Sequence, residues 1–284
     1  MHPFDLYIPK TVEEALELLA ATGGRPIAGG TDLIVFMQEG KIRPQVLIDL
    51  SRLDELRYIQ EEDGLIRIGP LTTHAELARS PLLRERGEVL AQAAAVVGAP
   101  QIRNRGTIGG NIATASPAGD TIPALMALGA QVKLRSMGGQ REVPLQDLFT
   151  GPGQTVIRGD ELITEVAFPL PGDSARGAFL KLRKRNALAI AVVSAAVTVT
   201  LMEGVIGEAH IALGAVAPTV IRASAAEQVL RGREPSAELL AQAGELAAAA
   251  SRPITDIRGS AAYRREMVKV LVRRGLAQVS HKCL

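Results

Sequence analysis

The chain has 284 residues, 47% of them hydrophobic and 22% charged, an ordinary balance for a globular protein with a sizeable core. Its formal net charge of +2 leaves no electrostatic footprint for a nucleic-acid or membrane partner. The one cysteine, Cys283, cannot form an internal disulfide or hold an iron–sulfur cluster, and it fits a reduced, cytoplasmic setting. The four histidines, His2, His74, His210 and His281, share no metal-ligand spacing, so any metal redox chemistry would belong to another chain.

No secretory signal pattern opens the sequence. Thr11-Val12-Glu13-Glu14 has capping-box spacing, and Val12, Ala15, Leu16 and Leu19 recur at helical spacing. A helix is expected over 11–21, ended by Gly23-Gly24. A short strand over 26–28 then enters Ala28-Gly29-Gly30-Thr31-Asp32, and a helix over 33–38 follows with Thr31 or Asp32 as its cap. Strands are expected over 45–49 and 65–68, a helix from Ser80-Pro81, and a buried helix over 89–97 stopped by Gly98. Further strands fall at 132–135, 142–145 and 162–168, with a turn-rich loop at 150–153.

Proline, glycine and polar residues over 169–174 mark a domain boundary, giving units of 1–172 and 173–284, the first divisible near residue 55. Beyond it come strand-like runs at 178–183, 191–201 and 208–214. The longest apolar stretch, 187–202, is shorter than the roughly 20 residues of a spanning helix, and its later half alternates like a half-buried strand. Two helices close the chain: one over 236–250, the other carrying Tyr263, Met267, Val270 and Leu271 on one face, with Arg264, Arg265, Lys269 and Arg273 on a solvent-facing one. The fold class is therefore α+β.

Two stretches carry chemistry, Ala28 to Asp32 and Thr107-Ile108-Gly109-Gly110-Asn111. Paired glycines let the backbone approach a ligand and turn N–H groups towards an anion, and a helix start after the loop adds its dipole. Two such loops suit a pyrophosphate. Taken alone, each reads first as a plain tight turn, and neither is a dinucleotide fingerprint or a P-loop.

At these residues the chain resembles a known family. The run Gln101-Ile102-Arg103-Asn104-Arg105-Gly106-Thr107-Ile108-Gly109-Gly110-Asn111-Ile112-Ala113 is similar to the signature of the FAD-binding medium subunits of the xanthine dehydrogenase and carbon monoxide dehydrogenase group. So is Ser116-Pro117-Ala118-Gly119-Asp120-Thr121-Ile122-Pro123, and the 28–32 loop matches the family's first flavin loop. The resemblance implies a vanillyl-alcohol-oxidase-type (PCMH-type) FAD-binding fold of two subdomains, plus a C-terminal domain of three antiparallel strands with helices. It implies that Ala28, Gly29, Gly30, Thr31 and Asp32 hold one side of the FAD pyrophosphate, and Thr107, Ile108, Gly109, Gly110 and Asn111 the other. It further implies Asp120 at the adenosine ribose, and Ile163 and Lys181 near the flavin ring.

Plainer roles stand beside these: a helix cap for Asp120, strand core for Ile163, a solvated basic cluster for Lys181, and a structural role for His74. The region before the second loop, Val96-Val97-Gly98, lacks the aromatic residue some xanthine dehydrogenases place near the flavin. By resemblance, the partners are a small [2Fe–2S] subunit and a large molybdenum-cofactor subunit, in a heterotrimer or a dimer of heterotrimers. Electrons would leave to NAD, a quinone or oxygen, and the substrate would be a purine or N-heteroaromatic. The chain itself would contribute no catalytic residue and no metal ligand. The alternatives are a stand-alone flavin oxidoreductase and a non-enzymatic module binding another phosphate ligand.

Overall fold

The computed structural model describes residues 2–281; Cys283 lies outside them. The first unit is a small parallel sheet with one covering helix. β1 (Asp5–Tyr7) leads into α1 (Val12–Thr22), β2 (Arg25–Ile27), α2 (Leu33–Gln38) and β3 (Val46–Asp49), with strand order β1-β3-β2. Thr11 caps α1 by accepting the Glu14 N–H, while the Glu14 carboxylate reaches past it to the Lys10 N–H. Gly23, at φ 61°, closes the helix in the left-handed region that a side chain disfavours. Val12, Leu16 and Leu19 pack on Ile48 of β3 and on Leu50 just past its end.

The second unit starts with the hairpin β4 (Ile59–Glu62) and β5 (Leu65–Ile68). A run of short helices follows: α3 (His74–Arg79), α4 (Pro81–Arg86), α5 (Glu88–Ala95), α6 (Pro100–Arg103), α7 (Ile108–Thr114) and α8 (Thr121–Ala127). β6 (Gln131–Ser136), β7 (Gly139–Pro144), α9 (Leu145–Leu148), the small hairpin β8 (Phe149–Gly151) and β9 (Gln154–Thr155), and β10 (Leu162–Pro169) complete it. Its antiparallel sheet has the order β4-β5-β10-β6-β7, so the last strand inserts at the centre. Ile66, Ile68, Leu134 and Val166 on the sheet meet Leu77, Leu90, Ile108 and Ile122 from the helices. The 150–153 stretch, expected as a loop, is part of the β8–β9 hairpin.

The third unit is a sheet backed by helices: β11 (Ala175–Leu182), β12 (Val193–Met202), β13 (Val205–Gly214), β14 (Ile221–Arg222), α10 (Ser224–Leu230), α11 (Ala237–Ala250) and α12 (Ala261–His281). Its strands pair antiparallel in chain order, the two-residue β14 joining the three expected. Because side chains alternate along a strand, β12 sends Ala195, Val197 and Val199 to the α10–α12 core and Ala196 to the core of the second unit. β13 does the same with Ile211 and Leu213 against Ala212.

The face of α12 differs from the expected one. Its buried stripe is Arg264, Val268, Leu271, Val272 and Leu276, while Tyr263 is 46% exposed. Arg264, expected on the solvated basic face, is 3% exposed. Its guanidinium donates to the carbonyls of Val192 (2.8 Å) and Ala215 (2.9 Å) and to Asp256 (2.5 Å). Val192 lies just before β12 and Ala215 just after β13, so the cation crosslinks three segments. Burial opposes the Asp256 charge, but hydrogen bonds from the Arg258 N–H, Arg264 and Arg258 outweigh it and hold the carboxyl at about 2.

Arg264→Met is expected to cost about 2–4 kcal/mol in urea unfolding, since it strands buried acceptors. A loss within about 0.5 kcal/mol would show the crosslink to be idle. The Asp256 contribution is complete above its unfolded pKa of about 3.9 and is lost as pH falls through about 2.

Candidate functional site

The two glycine stretches lie against each other, and the glycines in them have different tasks. A side chain at Gly29 would collide with the Arg105 carbonyl, so backbone packs on backbone there. Gly30 has φ 72° and turns the chain from β2 into α2. The backbone N–H groups of Gly29, Gly30, Thr31 and Asp32 donate to no backbone or side-chain acceptor among the described residues. A cluster of unengaged donors at the start of a helix suits an anion. Asp32 sits at the α2 N-cap position without making a cap bond; its carboxylate accepts from Thr114 Oγ1 (3.1 Å) and ties the first loop to α7.

The second stretch is the first turn of α7 rather than an open loop. Thr107 caps it, accepting the Gly110 N–H at 3.1 Å. The Ile108 N–H goes to Thr72, the Gly109 N–H to Pro70 and the Asn111 N–H to Thr107. Its donors are thus already committed, and its contribution is space. A Cβ on Gly109 would lie 2.6 Å from Pro70 Cβ, so packing alone demands that glycine. A Cβ on Gly110 would meet only the capping hydroxyl of Thr107, at 3.0 Å. The fold places little demand on a glycine at 110, and the missing side chain leaves that face open to close approach.

Gly110 opens onto a cavity of about 310 Å³. Ala28, Gly109, Gly110 and Ala113 form one wall, and the segment from Thr155 to Ile163 forms the opposite one. That second wall is held by Glu161, which accepts two hydrogen bonds from Arg141 (2.7 and 2.8 Å) and one from the Arg158 N–H (2.8 Å). The Arg141 hydrogen bonds hold the Glu161 carboxyl below the usual range despite its burial. Ile163 therefore faces this cavity while also packing on the core of the second unit.

Asp120 and Lys181 meet elsewhere. The Lys181 ammonium lies 2.6 Å from Asp120 Oδ2 and 3.3 Å from the Val96 carbonyl, with both side chains buried. Lys181 is set apart in this way from its solvated neighbours Lys184 and Arg185. Asp120 stands at the N-cap position of α8 but makes no cap bond, and its Oδ1 is buried without a partner. Burial pushes its carboxyl up to about 6, against the pull of Lys181 and Arg183. Asn111 is joined to this neighbourhood through Thr121, whose hydroxyl donates to Asn111 Oδ1 at 2.7 Å.

The residues named from the sequence thus form two groups: Ala28, Gly109, Gly110 and Ile163 line one cavity, and Lys181 joins Asp120 rather than Ile163. Sequence reasoning missed Thr114, Arg141, Glu161 and the Pro70 backbone, which lie in unremarkable stretches and act through partners remote in the chain, Glu161 also through the nearby Arg158 N–H. Among the described residues no cluster of ligating side chains could hold a metal ion, and no helix is long and apolar enough to cross a membrane.

Comparison with known proteins agrees with this geometry. A family model described as the FAD binding domain in molybdopterin dehydrogenase matches residues 2–171, and one described as the CO dehydrogenase flavoprotein C-terminal domain matches 178–279. The matched regions define a flavoprotein subunit of two parts. The nicotinate dehydrogenase FAD-subunit of Eubacterium barkeri is 39% identical over 239 residues, covering 82% of this chain and 81% of its own. The nicotine 6-hydroxylase medium subunit of Paenarthrobacter nicotinovorans is 35% identical over 272 residues, 95% of each chain. A solved chain of carbon monoxide dehydrogenase from Hydrogenophaga pseudoflava superposes with a TM-score of 0.96 at 34% identity, covering 100% of this chain and 99% of that one. The chain belongs to the family of FAD-binding medium subunits of molybdenum hydroxylases. Its relatives are subunits of dehydrogenase and hydroxylase complexes, and the vanillyl-alcohol-oxidase-type fold implied by the resemblance stands with the family.

The site fits FAD on its own terms. Free donors at 29–32, a glycine at 110 that the fold does not require, and an orphaned buried acceptor on Asp120 are features a phosphate- and hydroxyl-bearing ligand would satisfy.

Two outcomes follow from this geometry. Gly29→Ala should destabilise the chain by about 1–3 kcal/mol in chemical denaturation, since one backbone must move off the other. The Asp120 carboxyl carbon should titrate near pH 6 in ¹³C NMR of the flavin-free chain. Its folded value is raised, so the stability linked to it is present below about 3.9 and is lost as pH rises through about 6. A midpoint at or below 4 would mean that the Lys181 charge, and not burial, sets its state.

Proposed function

We propose that this chain is the electron outlet of a heteromeric molybdenum hydroxylase. In this reading a small [2Fe–2S] subunit delivers electrons to it, and a large molybdenum-cofactor subunit oxidises the substrate. The observation that carries the reading is a run of unengaged N–H groups at 29–32, packed by Gly29 on the Arg105 carbonyl and tied by Asp32 to α7, the helix whose Gly110 lines an open cavity, inside a chain of this family. Bound FAD supplies the junction between one- and two-electron transfer, and the protein supplies position and electrostatics.

The first loop, Gly29 to Asp32, would give phosphate oxygens their hydrogen bonds. Gly110 would admit the ligand backbone beside the α7 N-terminus, whose dipole favours the anion. Thr31, Thr107 and Asn111 would complete the cradle, although Thr107 acts first as the cap of α7. Asp120 and Lys181 would act as one unit: the ammonium orients the carboxylate and leaves Oδ1 to accept from a ligand hydroxyl. Ala28, Ile108 and Ile163 would supply apolar packing, Ile108 from the core beneath the cradle.

The division into a FAD-binding domain over 1–172, with subdomains about 1–55 and 56–172, and a C-terminal domain over 173–284 belongs to this proposal. So do a heterotrimer or dimer of heterotrimers, a cytoplasmic setting, and NAD, a quinone or oxygen as acceptor. A purine or N-heteroaromatic substrate is favoured by the nicotinate and nicotine named for the relatives.

The test is the absorption spectrum of the purified full chain, with any released flavin identified by chromatography. The expected result is an oxidised-flavin spectrum with FAD released. Gly110→Val should weaken FAD at least about tenfold while the melting temperature of the flavin-free chain stays within a few degrees. A colourless chain that refuses added FAD, alone and with its partner subunits, would end this reading.

A further inference from the structure

We propose that His74 is a further FAD-binding residue, its Nε2–H donating to the phosphate anion held by the first glycine loop. This rests on the FAD reading of that loop and adds a side chain that neither the motifs nor the family comparison assigns.

The backbone that carries His74 is fixed from three directions. The His74 N–H donates to the Gly106 carbonyl at 3.0 Å. Thr73, one residue earlier, pairs with Thr107 in an isolated bridge. Thr73 and Glu76 cap α3 reciprocally, with His74 as the first helical residue. The residue is 3% exposed, so the ring has little freedom.

Its orientation follows from Gly106. A Cβ there would lie 3.2 Å from His74 Cδ2 and 3.3 Å from Thr31 Oγ1. The Cδ2 edge of the ring, which carries Nε2, and the hydroxyl of the first loop therefore converge on one point that a glycine keeps clear. Nδ1, on the far edge, is sealed from solvent and has no partner. Nε2 is not sealed, and no group of the described residues bonds to it.

An orphaned N–H in an apolar interior costs more than an orphaned lone pair, so the proton belongs on Nε2. Burial, with the Arg103 charge nearby, pushes the imidazole down to about 4 and keeps it neutral. The result is a fixed, uncharged N–H donor on the side of the ring that shares the space at Gly106 with the Thr31 hydroxyl of the first loop. A buried imidazole that served only the fold would have its nitrogens satisfied within the chain.

The experiment measures FAD affinity of the flavin-free, full 284-residue chain by flavin fluorescence, for wild type, His74→Leu and His74→Gln. A hydrogen bond to a charged group leads to an expected weakening of about tenfold or more in His74→Leu. His74→Gln, whose amide reaches the Nε2 position, should stay within about threefold of wild type. Melting temperatures of the flavin-free variants should match, which separates a lost contact from a damaged fold. His74→Leu binding FAD like wild type would overturn the inference, as would a failure of His74→Gln to restore affinity in a normally folded chain. Should either variant misfold, the ¹⁵N resonance of His74 Nε2 in wild type decides: a shift on FAD addition supports the contact, and an unmoved resonance refutes it. A wild-type chain that binds no FAD would remove the functional reading itself, whereas wild-type binding with an indifferent His74 removes only this inference.

Discussion

The contact of the Gly29 backbone with the Arg105–Gly106 backbone is the constraint on which the site depends. No other residue lets the β2–α2 turn lie this close to the entry of α7. The contact brings a set of free N–H donors, which belongs to a three-stranded parallel sheet, against a helix that belongs to a different, antiparallel unit. The Asp32–Thr114 hydrogen bond then holds that meeting, and the Gly109–Pro70 packing seats α7 within its own unit. A side chain at 29 would separate donors from space, and neither alone makes a phosphate site.

The two glycine stretches are therefore not duplicates. The first keeps its N–H groups open because Gly30 turns the chain before α2 can consume them. The second spends its N–H groups on Thr72, Pro70 and the Thr107 cap, and so buys rigidity at the floor of the cavity. This division fits a pyrophosphate site in which one wall binds and the other shapes. Arg141 and Glu161 stiffen the part of the cavity lining that carries Ile163.

Two buried ion pairs tie the third unit into place. Lys181 on β11 crosses to Asp120 at the start of α8, and Arg264 on α12 gathers Asp256 with the carbonyls of Val192 and Ala215. Such pairs add little net stability, because desolvation offsets attraction, but breaking either one leaves a buried charge. Their value is to define register: β12 and β13 can pack small alanines against the second unit and larger residues against α10–α12 only in one arrangement.

The sequence by itself determined the elements whose signals are local. Thr11 and Gly23 bracket α1, the 33–38 helix and the 65–68 strand fall where spacing puts them, and the alternation after Val197 is that of β12. The ordered glycine motifs carried the family because their order and spacing are read directly along the chain, whatever each glycine does in the fold. The tertiary structure alone decided the rest. Helices α3, α6 and α10 are four to seven residues long, too short for periodicity to register, and are held by packing. Whether a charged residue is solvated or buried depends on a partner that spacing does not reveal: Lys181 finds Asp120 sixty-one residues back, and Arg264 finds the ends of two strands. The same holds for His74, whose surroundings come from Gly106 and Thr31, both remote in the chain and adjacent only once it has folded.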